Sequence, residues 1–158
     1  MLKQGIKRVL LASIVTLSLV PAVSAQAAVT IIDNDSDTFG NYKTGSWSYL
    51  NSGKYGDARI HWGISNDEYH WTLKNPDSTG WYKFEAYVNN GSFSTREASY
   101  YKDGSYVGGL NQHTAYGGWN KITSVWMVNG WNYDYSVSAF NRGDNLNTGA
   151  DAIGLTKE

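Results

Sequence analysis

Two sets of side chains carry the chemistry open to this 158-residue sequence. The first is acidic. Asp33, Asp35 and Asp37 alternate in DNDSD, and Asp151 stands near the C-terminus in ADAIGL. Hard carboxylate oxygens close together suit Ca²⁺, and Asp33, Asp35 and Asp151 are expected to hold one if the last strand lies beside the first. The segment lacks the glycine and distal Glu of an EF-hand loop. The competing expectation is therefore a turn whose carboxylates are solvated or bond backbone N–H groups. The second set is aromatic. Seven Trp and twelve Tyr exceed what one small core easily holds, so some rings must lie outside it. An exposed ring can pack on the C–H face of a pyranose while Asn, Asp, Gln or Arg bond its hydroxyls. Trp81 and Tyr87 are nominated for this by strand alternation, and Trp62, Tyr100 and Trp131 by their places near turns. A ring taken singly is more often structural.

The segment NQHTAYGGWNKI (111–122) gathers Gln112, His113, Tyr116, two glycines and Trp119. It reads as a strand corner before it reads as a ligand loop. The Gly-Gly pair permits a tight corner, Trp119 is expected to plug the end of the fold with its ring inward, and Gln112 to bond backbone groups across the corner. His113 and Tyr116 are expected to face solvent and join the ligand-binding candidates.

Catalytic patterns are absent. The chain has no Cys, no Gly-x-Ser-x-Gly elbow and no HExxH, and His61, His70 and His113 sit on separate segments without metal-ligand spacing. A carboxylate pair such as Glu68 with Asp57 or Glu97 would suffice for glycoside cleavage, but no spacing supports it. The expectation is a protein that is not an enzyme, with His61 and His70 as satisfied structural imidazoles.

The elements that must position these groups are strands. After residue 27 no stretch shows helical spacing of apolar residues over three turns. Short alternating runs of Trp, Tyr, Val and Thr recur between Gly, Asn, Asp and Ser. Ten are read as strands: 29–32, 47–50, 58–62, 69–73, 80–88, 98–102, 105–110, 121–128, 133–140 and 150–155. In WYKFEAYV, Tyr82, Phe84, Ala86 and Val88 should face the core and Trp81, Lys83, Glu85 and Tyr87 the other side. Lys102–Ser105 is a hairpin turn by its Asp-Gly pair. The fold class is all-β, a jelly-roll-like antiparallel β-sandwich with little helix.

Residues 1–27 read as a secretory signal peptide: Lys3, Lys7 and Arg8, an apolar run from Val9 to Val23, then VSAQAA with cleavage after Ala25 or Ala27. The run is too short for a membrane span. Removing it takes three of the 13 basic side chains and none of the 14 acidic ones, leaving a net charge of −4. A mildly acidic surface disfavours nucleic acid and anionic lipid. Residues 28–158 make one domain, secreted or cell-wall associated, that must gain stability without disulfides.

The segments IDND, TGSW, YHWTLKNPDSTGWYKFEAYV, NQHTAYGGWNKI and ADAIGL, in that order, resemble the landmarks of the golvesin C-terminal-like domain, which is also appended to xanthan lyases and other secreted polysaccharide-active proteins. Gln112, Gly118, Trp119 and Asn120 with Asp151-Ala152-Ile153 carry most of the resemblance. It implies a jelly-roll β-sandwich grouped with carbohydrate-binding modules by architecture. Family members typically end an enzyme or a large surface protein, whereas here the domain follows its signal directly. The expected function is a non-catalytic module binding cell-wall or extracellular polysaccharide through exposed aromatics, with no cofactor beyond a structural calcium. An envelope or matrix protein-interaction module is the alternative, and a small glycosidase or lyase the third.

Overall fold

A computed structural model describes residues 28–35, 40–74, 78–89, 91–140 and 145–158. Residues 1–27, read above as a signal peptide, and Asp37 lie outside the described residues. Twelve strands follow in order: β1 (Val29–Ile32), β2 (Tyr42–Lys43), β3 (Ser48–Leu50), β4 (Ala58–His61), β5 (Glu68–Lys74), β6 (Gly80–Val88), β7 (Ala98–Lys102), β8 (Ser105–Leu110), β9 (Gly118–Met127), β10 (Asn132–Ser138), β11 (Thr148–Ala150) and β12 (Ile153–Lys157). No helix occurs among the described residues. The strands form a four-stranded sheet β1-β12-β6-β9, a five-stranded sheet β2-β5-β10-β7-β8 and a three-stranded sheet β11-β4-β3, with antiparallel pairing throughout.

Period-two patterning builds the layers. In β6 the predicted core set Tyr82, Phe84, Ala86 and Val88 is buried and the alternate residues face outward. In β5, Tyr69, Trp71 and Leu73 turn inward while Glu68, His70, Thr72 and Lys74 do not. The inner faces of the two larger sheets meet in one core, where the Phe84 ring lies 4.9 Å from Tyr135 and 5.9 Å from Tyr100. Each such ring contributes about 2–3 kcal/mol by leaving water. The hairpin expected at Lys102–Ser105 joins β7 to β8, with positive φ at Asp103 and Gly104 as a two-residue turn matched to strand twist requires.

A smaller core of Ala58, Ile60, Val88 and Phe93 lies under the three-stranded sheet. The Phe93 ring presses on β11 so closely that a Cβ at Gly149 would sit 2.0 Å from it. Gln112, 1% exposed, closes this corner. Its Nε2 donates to the Gly149 carbonyl at 2.9 Å and to the Tyr100 hydroxyl at 3.1 Å, and its Oε1 accepts the Gly149 N–H at 2.9 Å. The backbone bonding expected of Gln112 is present.

The predicted final strand, 150–155, is two elements. β11 pairs with β4, and β12 passes to the other sheet between β1 and β6. The chain changes sheets at Asp151-Ala152, where the Asp151 carbonyl accepts the Trp71 indole N–H at 2.9 Å. The last strand does lie beside the first, as the acidic reading required.

Candidate functional site

Alternation in β6 leaves Trp81, Lys83, Glu85 and Tyr87 on the outer face of the four-stranded sheet, and the register fixes their neighbours. On β9, Trp126 stands opposite Trp81, Ser124 opposite Lys83, Lys121 opposite Glu85 and Trp119 opposite Tyr87. On β12, Gly154 and Thr156 flank Glu85 and Lys83, with Ile31 and Val29 of β1 beyond them. The face thus carries an aromatic pair at each end. Trp81 and Trp126 meet edge to face at 5.6 Å and 74°, and Tyr87 and Trp119 at 5.4 Å and 78°. Trp81 is 54% exposed and Trp126 49%. Six residue steps along β6, from Trp81 to Tyr87, separate the two pairs, roughly 20 Å at a strand's rise.

The space between the pairs is polar and internally neutralised. Lys83 is 2.9 Å from Glu85 and Lys121 3.2 Å from Glu158, which also accepts the Ser124 hydroxyl at 2.9 Å. A shallow groove of about 480 Å³ crosses this region, walled by Val29, Ile31, Lys83, Glu85, Trp119 and Thr156. The Lys54 ammonium lies 5.4 Å from the Tyr87 ring centroid and 5.9 Å from that of Trp119, adding a cation to that end.

Trp119 corrects the expectation of an inward plug. Counting back from Trp126, strict alternation would turn Trp119 to the core. The register shifts opposite Phe84/Glu85, where Thr123 pairs with Phe84 but Lys121 with Glu85, so Ile122 is the extra residue of a bulge. That single insertion flips the alternation and brings Trp119 out. Its ring lies over Gly154, where an added Cβ would approach to 3.1 Å.

The acidic reading is corrected in one member: Asp57, and not Asp151, joins Asp33 and Asp35. Asp33, Asp35 and Asp57 each present an oxygen within 4.8 Å of the others'. Asp57, just before β4, is buried, accepts the Asn34 amide at 3.1 Å and pairs with Arg59. Asp151 is buried close by and outside that set of three, and its carboxylate accepts the Lys54 N–H at 3.0 and 3.1 Å. Burial first, then the hydrogen bond and charge of Asp35 and the charge of Asp57, push Asp33 up to about 7. Burial first, then the charges of Asp33 and Asp57, push Asp151 up to about 7 as well. Asp33 Oδ1 and Asn34 Oδ1 are buried acceptors without a donor. Crowded oxygens that repel one another and find too few protons fit a hard divalent cation such as calcium, with Asp33, Asp35 and Asp57 as the residues to hold it.

No protein-family profile and no curated protein matches the chain. Solved structures do. A Paenibacillus xanthan lyase superposes with a TM-score of 0.65 at 20% identity, covering 82% of this chain and 13% of the lyase. A family 35 carbohydrate binding module from an environmental isolate gives 0.60 at 16% identity, covering 82% of this chain and 93% of the module. The native family 35 module from Clostridium thermocellum gives 0.58 at 16% identity, covering 84% and 100%. The chain shares their jelly-roll fold. It spans about an eighth of the lyase's length and nearly the whole of each module.

Against this frame of sheets the nominated residues separate. Trp81 and Tyr87 share the outer face described above. Trp62, His113, Tyr116 and Trp131 are exposed as expected, but on separate loops: after β4, in the β8–β9 corner and in the β9–β10 turn. Tyr100 is a correction. It is 1% exposed, with its hydroxyl on Gln112 and its ring against Phe84, because β7 turns Ala98 and Tyr100 inward and Ser99 and Tyr101 outward. Trp126, Trp119 and Asp57 were not nominated for these roles. The signals are positional: for Trp126, a place two residues beyond Ser124, on the same face of a strand that pairs with β6, and for Asp57, a place just before a strand start.

His61 is satisfied, its Nδ1 3.1 Å from the Gly63 carbonyl and its Nε2 2.9 Å from Asp67 and 3.1 Å from Ser65 Oγ. The Ser46 N–H, then His61, hold the Asp67 carboxyl below its usual range. Among the carboxylates raised as a catalytic pair, Asp57 belongs to the acidic set and Glu68 accepts the Ser136 hydroxyl at 2.8 Å.

Proposed function

We propose that this chain is an exported, non-catalytic module that binds cell-wall or extracellular polysaccharide along the outer face of the four-stranded sheet. The observation that carries the reading is the pair of edge-to-face aromatic clusters, Trp81–Trp126 and Tyr87–Trp119, on one rigid pleated surface. Each edge-to-face pair keeps one ring from rotating onto its neighbour and leaves ring surface for the C–H face of a sugar. Between them Lys83, Glu85, Lys121 and Ser124 offer hydrogen bonds to hydroxyls. Lys83 and Lys121 are matched by Glu85 and Glu158, which leaves the Lys54 ammonium at the Tyr87–Trp119 end as the added charge; a face so nearly neutral fits a neutral glycan best. The roughly 20 Å between the clusters suits the interior of an extended chain lying across the strands' length.

The fold likeness to carbohydrate-binding modules and the golvesin-like landmarks support the same reading, and the N-terminal signal supplies the export. Bound calcium would neutralise Asp33, Asp35 and Asp57 and tie the turn after β1 to the segment before β4. Its role is structural, and sugar recognition rests on the aromatic face. The competing reading is an envelope or matrix protein-interaction module. It draws on exposed Val29 and Ile31, which extend the same face as an apolar edge.

Affinity electrophoresis through gels containing xylan, galactomannan, mixed-linkage β-glucan or xanthan, with sedimentation on peptidoglycan, tests the proposal. At least one neutral polysaccharide should retard the protein, and replacing Trp81 and Trp126 together by Ala should sharply reduce the retardation. Free migration through every gel and no sedimentation would remove the reading. Capture of a protein that survives glycan digestion would favour its competitor.

A further inference from the structure

The opposite side of the sandwich carries a second constellation that the aromatic face leaves unused. On the outer face of the five-stranded sheet, Tyr42 of β2 stacks on His70 of β5 with ring centroids 4.1 Å apart and planes 10° from parallel. The Tyr42 hydroxyl donates to Asp134 Oδ2 at 2.9 Å, and His70 Nδ1 lies 3.0 Å from the same oxygen. His70 Nε2 is 3.5 Å from Glu68 Oε2. Asp103, in the β7–β8 turn, accepts the Asp134 N–H at 2.9 Å and pairs with Lys102. Strands β2, β5 and β10 and one hairpin turn are thereby tied into a fixed polar belt.

Beside that belt opens a cleft of about 510 Å³, walled by Tyr42, Thr72, Lys74, Asp103, Asn132 and Asp134. Its volume falls in the range of small-molecule sites. The chemistry of its wall is specific. Asp134 is oriented by Tyr42 and His70, and Asp103 by Lys102 and the Asp134 N–H. A carboxylate has about four acceptor positions, so both keep capacity for further donors. Asn132 adds an amide with both functions, and Tyr42, half-exposed, adds ring surface. Two oriented carboxylates, an amide and an aromatic ring match a hydroxyl-rich ligand: adjacent sugar hydroxyls donate to a carboxylate while the ring takes the C–H face. Lys102 offsets Asp103 and Lys74 stands in the same wall as Asp134, so the cleft has no excess positive charge to select an anionic sugar.

We infer that this cleft is a second saccharide site, taking a single neutral sugar residue at a chain end or side branch. Because the inner faces of the two sheets pack on each other, the outer faces point in opposite directions. If the proposed aromatic face holds one polysaccharide chain, the cleft engages another, and the module bridges glycans. Only the bridging rests on the proposed function. The cleft's affinity for a sugar does not.

The test uses the full mature chain and the methyl glycosides of glucose, galactose, mannose and xylose in calorimetry and amide NMR titrations. At least one glycoside should saturate a single site per chain and shift the amides of Tyr42, Asn132 and Asp134. Trp81→Ala/Trp126→Ala should bind it as the parent does. Asp134→Asn should weaken it tenfold or more, and Asn132→Ala, at an exposed position that leaves the belt intact, several-fold. Any polysaccharide that the parent binds should scatter light on mixing, and either set of substitutions should stop the scattering. Four glycosides that leave the cleft amides unmoved, or unchanged binding by both Asp134→Asn and Asn132→Ala, would overturn the cleft. Failure of the aromatic face shows differently: Trp81→Ala/Trp126→Ala would bind polysaccharide like the parent while the glycoside titration stands.

Discussion

Replacing Trp81 by Ala probes the aromatic face with a magnitude that follows from its exposure. A tryptophan offers up to about 250 Å² of surface, and Trp81 is 54% exposed, so roughly 130 Å² of it is open to a ligand. A sugar stacked on one side covers about half of that. At about 25 cal/mol per Å² the contact contributes about 1.5 kcal/mol, close to a tenfold change in Kd. Trp126, nearly as exposed, adds a similar amount, so the double substitution is expected to weaken binding by roughly a hundredfold. The fold loses only the edge-to-face contact, about 0.5–1.5 kcal/mol, because neither ring belongs to the core. The assay is calorimetric titration of parent, Trp81→Ala, Trp81→Phe and the double variant with the polysaccharide that binds, alongside thermal unfolding. Trp81→Phe should fall between parent and Ala. Binding by Trp81→Ala within about twofold of the parent, with the fold intact, would refute the assignment of this face.

Three further outcomes are expected. Without a cation, Asp33 and Asp151 hold their protons up to about pH 7, against 3.8 for an ordinary Asp side chain. The folded state therefore binds more protons than the unfolded one between those values. Stability should fall as pH rises from about 4 to 7 and level off above, by on the order of 4 kcal/mol for buried Asp151 alone. Calcium, binding the ionised form, should raise the Tm of chelator-treated protein at pH 7 and leave it unchanged near pH 4; a Tm insensitive to both would dismiss the cation. Gln112→Leu orphans the N–H and carbonyl of buried Gly149, at about 1–3 kcal/mol each, so chemical denaturation should show a loss of at least about 2 kcal/mol; a smaller loss would mean that water replaces the amide. Gly154→Val pushes its side chain into the Trp119 ring, so polysaccharide affinity should drop several-fold in the same titrations while the core is untouched. An unchanged affinity would take Trp119 out of the site.

The layers were legible wherever polarity and strand period agreed. In β6 the apolar and polar residues alternate cleanly, so its two faces could be read directly, and the Asp-Gly pair announced the β7–β8 hairpin. Tyr100 and Tyr101 show the limit: with an aromatic on both faces, period two separates the residues but gives no contrast to say which side is the core. Trp119 failed for another reason, since the bulge at Ile122 that turns it outward is a property of pairing with β6 and leaves no local mark. Pairing also hid Trp126, whose value lies in standing opposite Trp81. Asp57 is 22 residues from Asp35 and joins it only because β1 and the start of β4 converge. The division of the last strand at Asp151-Ala152 was equally silent, because a strand that changes sheets keeps its β-forming residues.

The most direct test follows the indole N–H resonances of all seven tryptophans during titration with a polysaccharide that retards the protein. Shifts are expected at Trp81, Trp119 and Trp126, with core Trp47 and Trp71 stationary. Shifts confined to Trp62 or Trp131, while the three rings of the sheet face stay fixed, would contradict it.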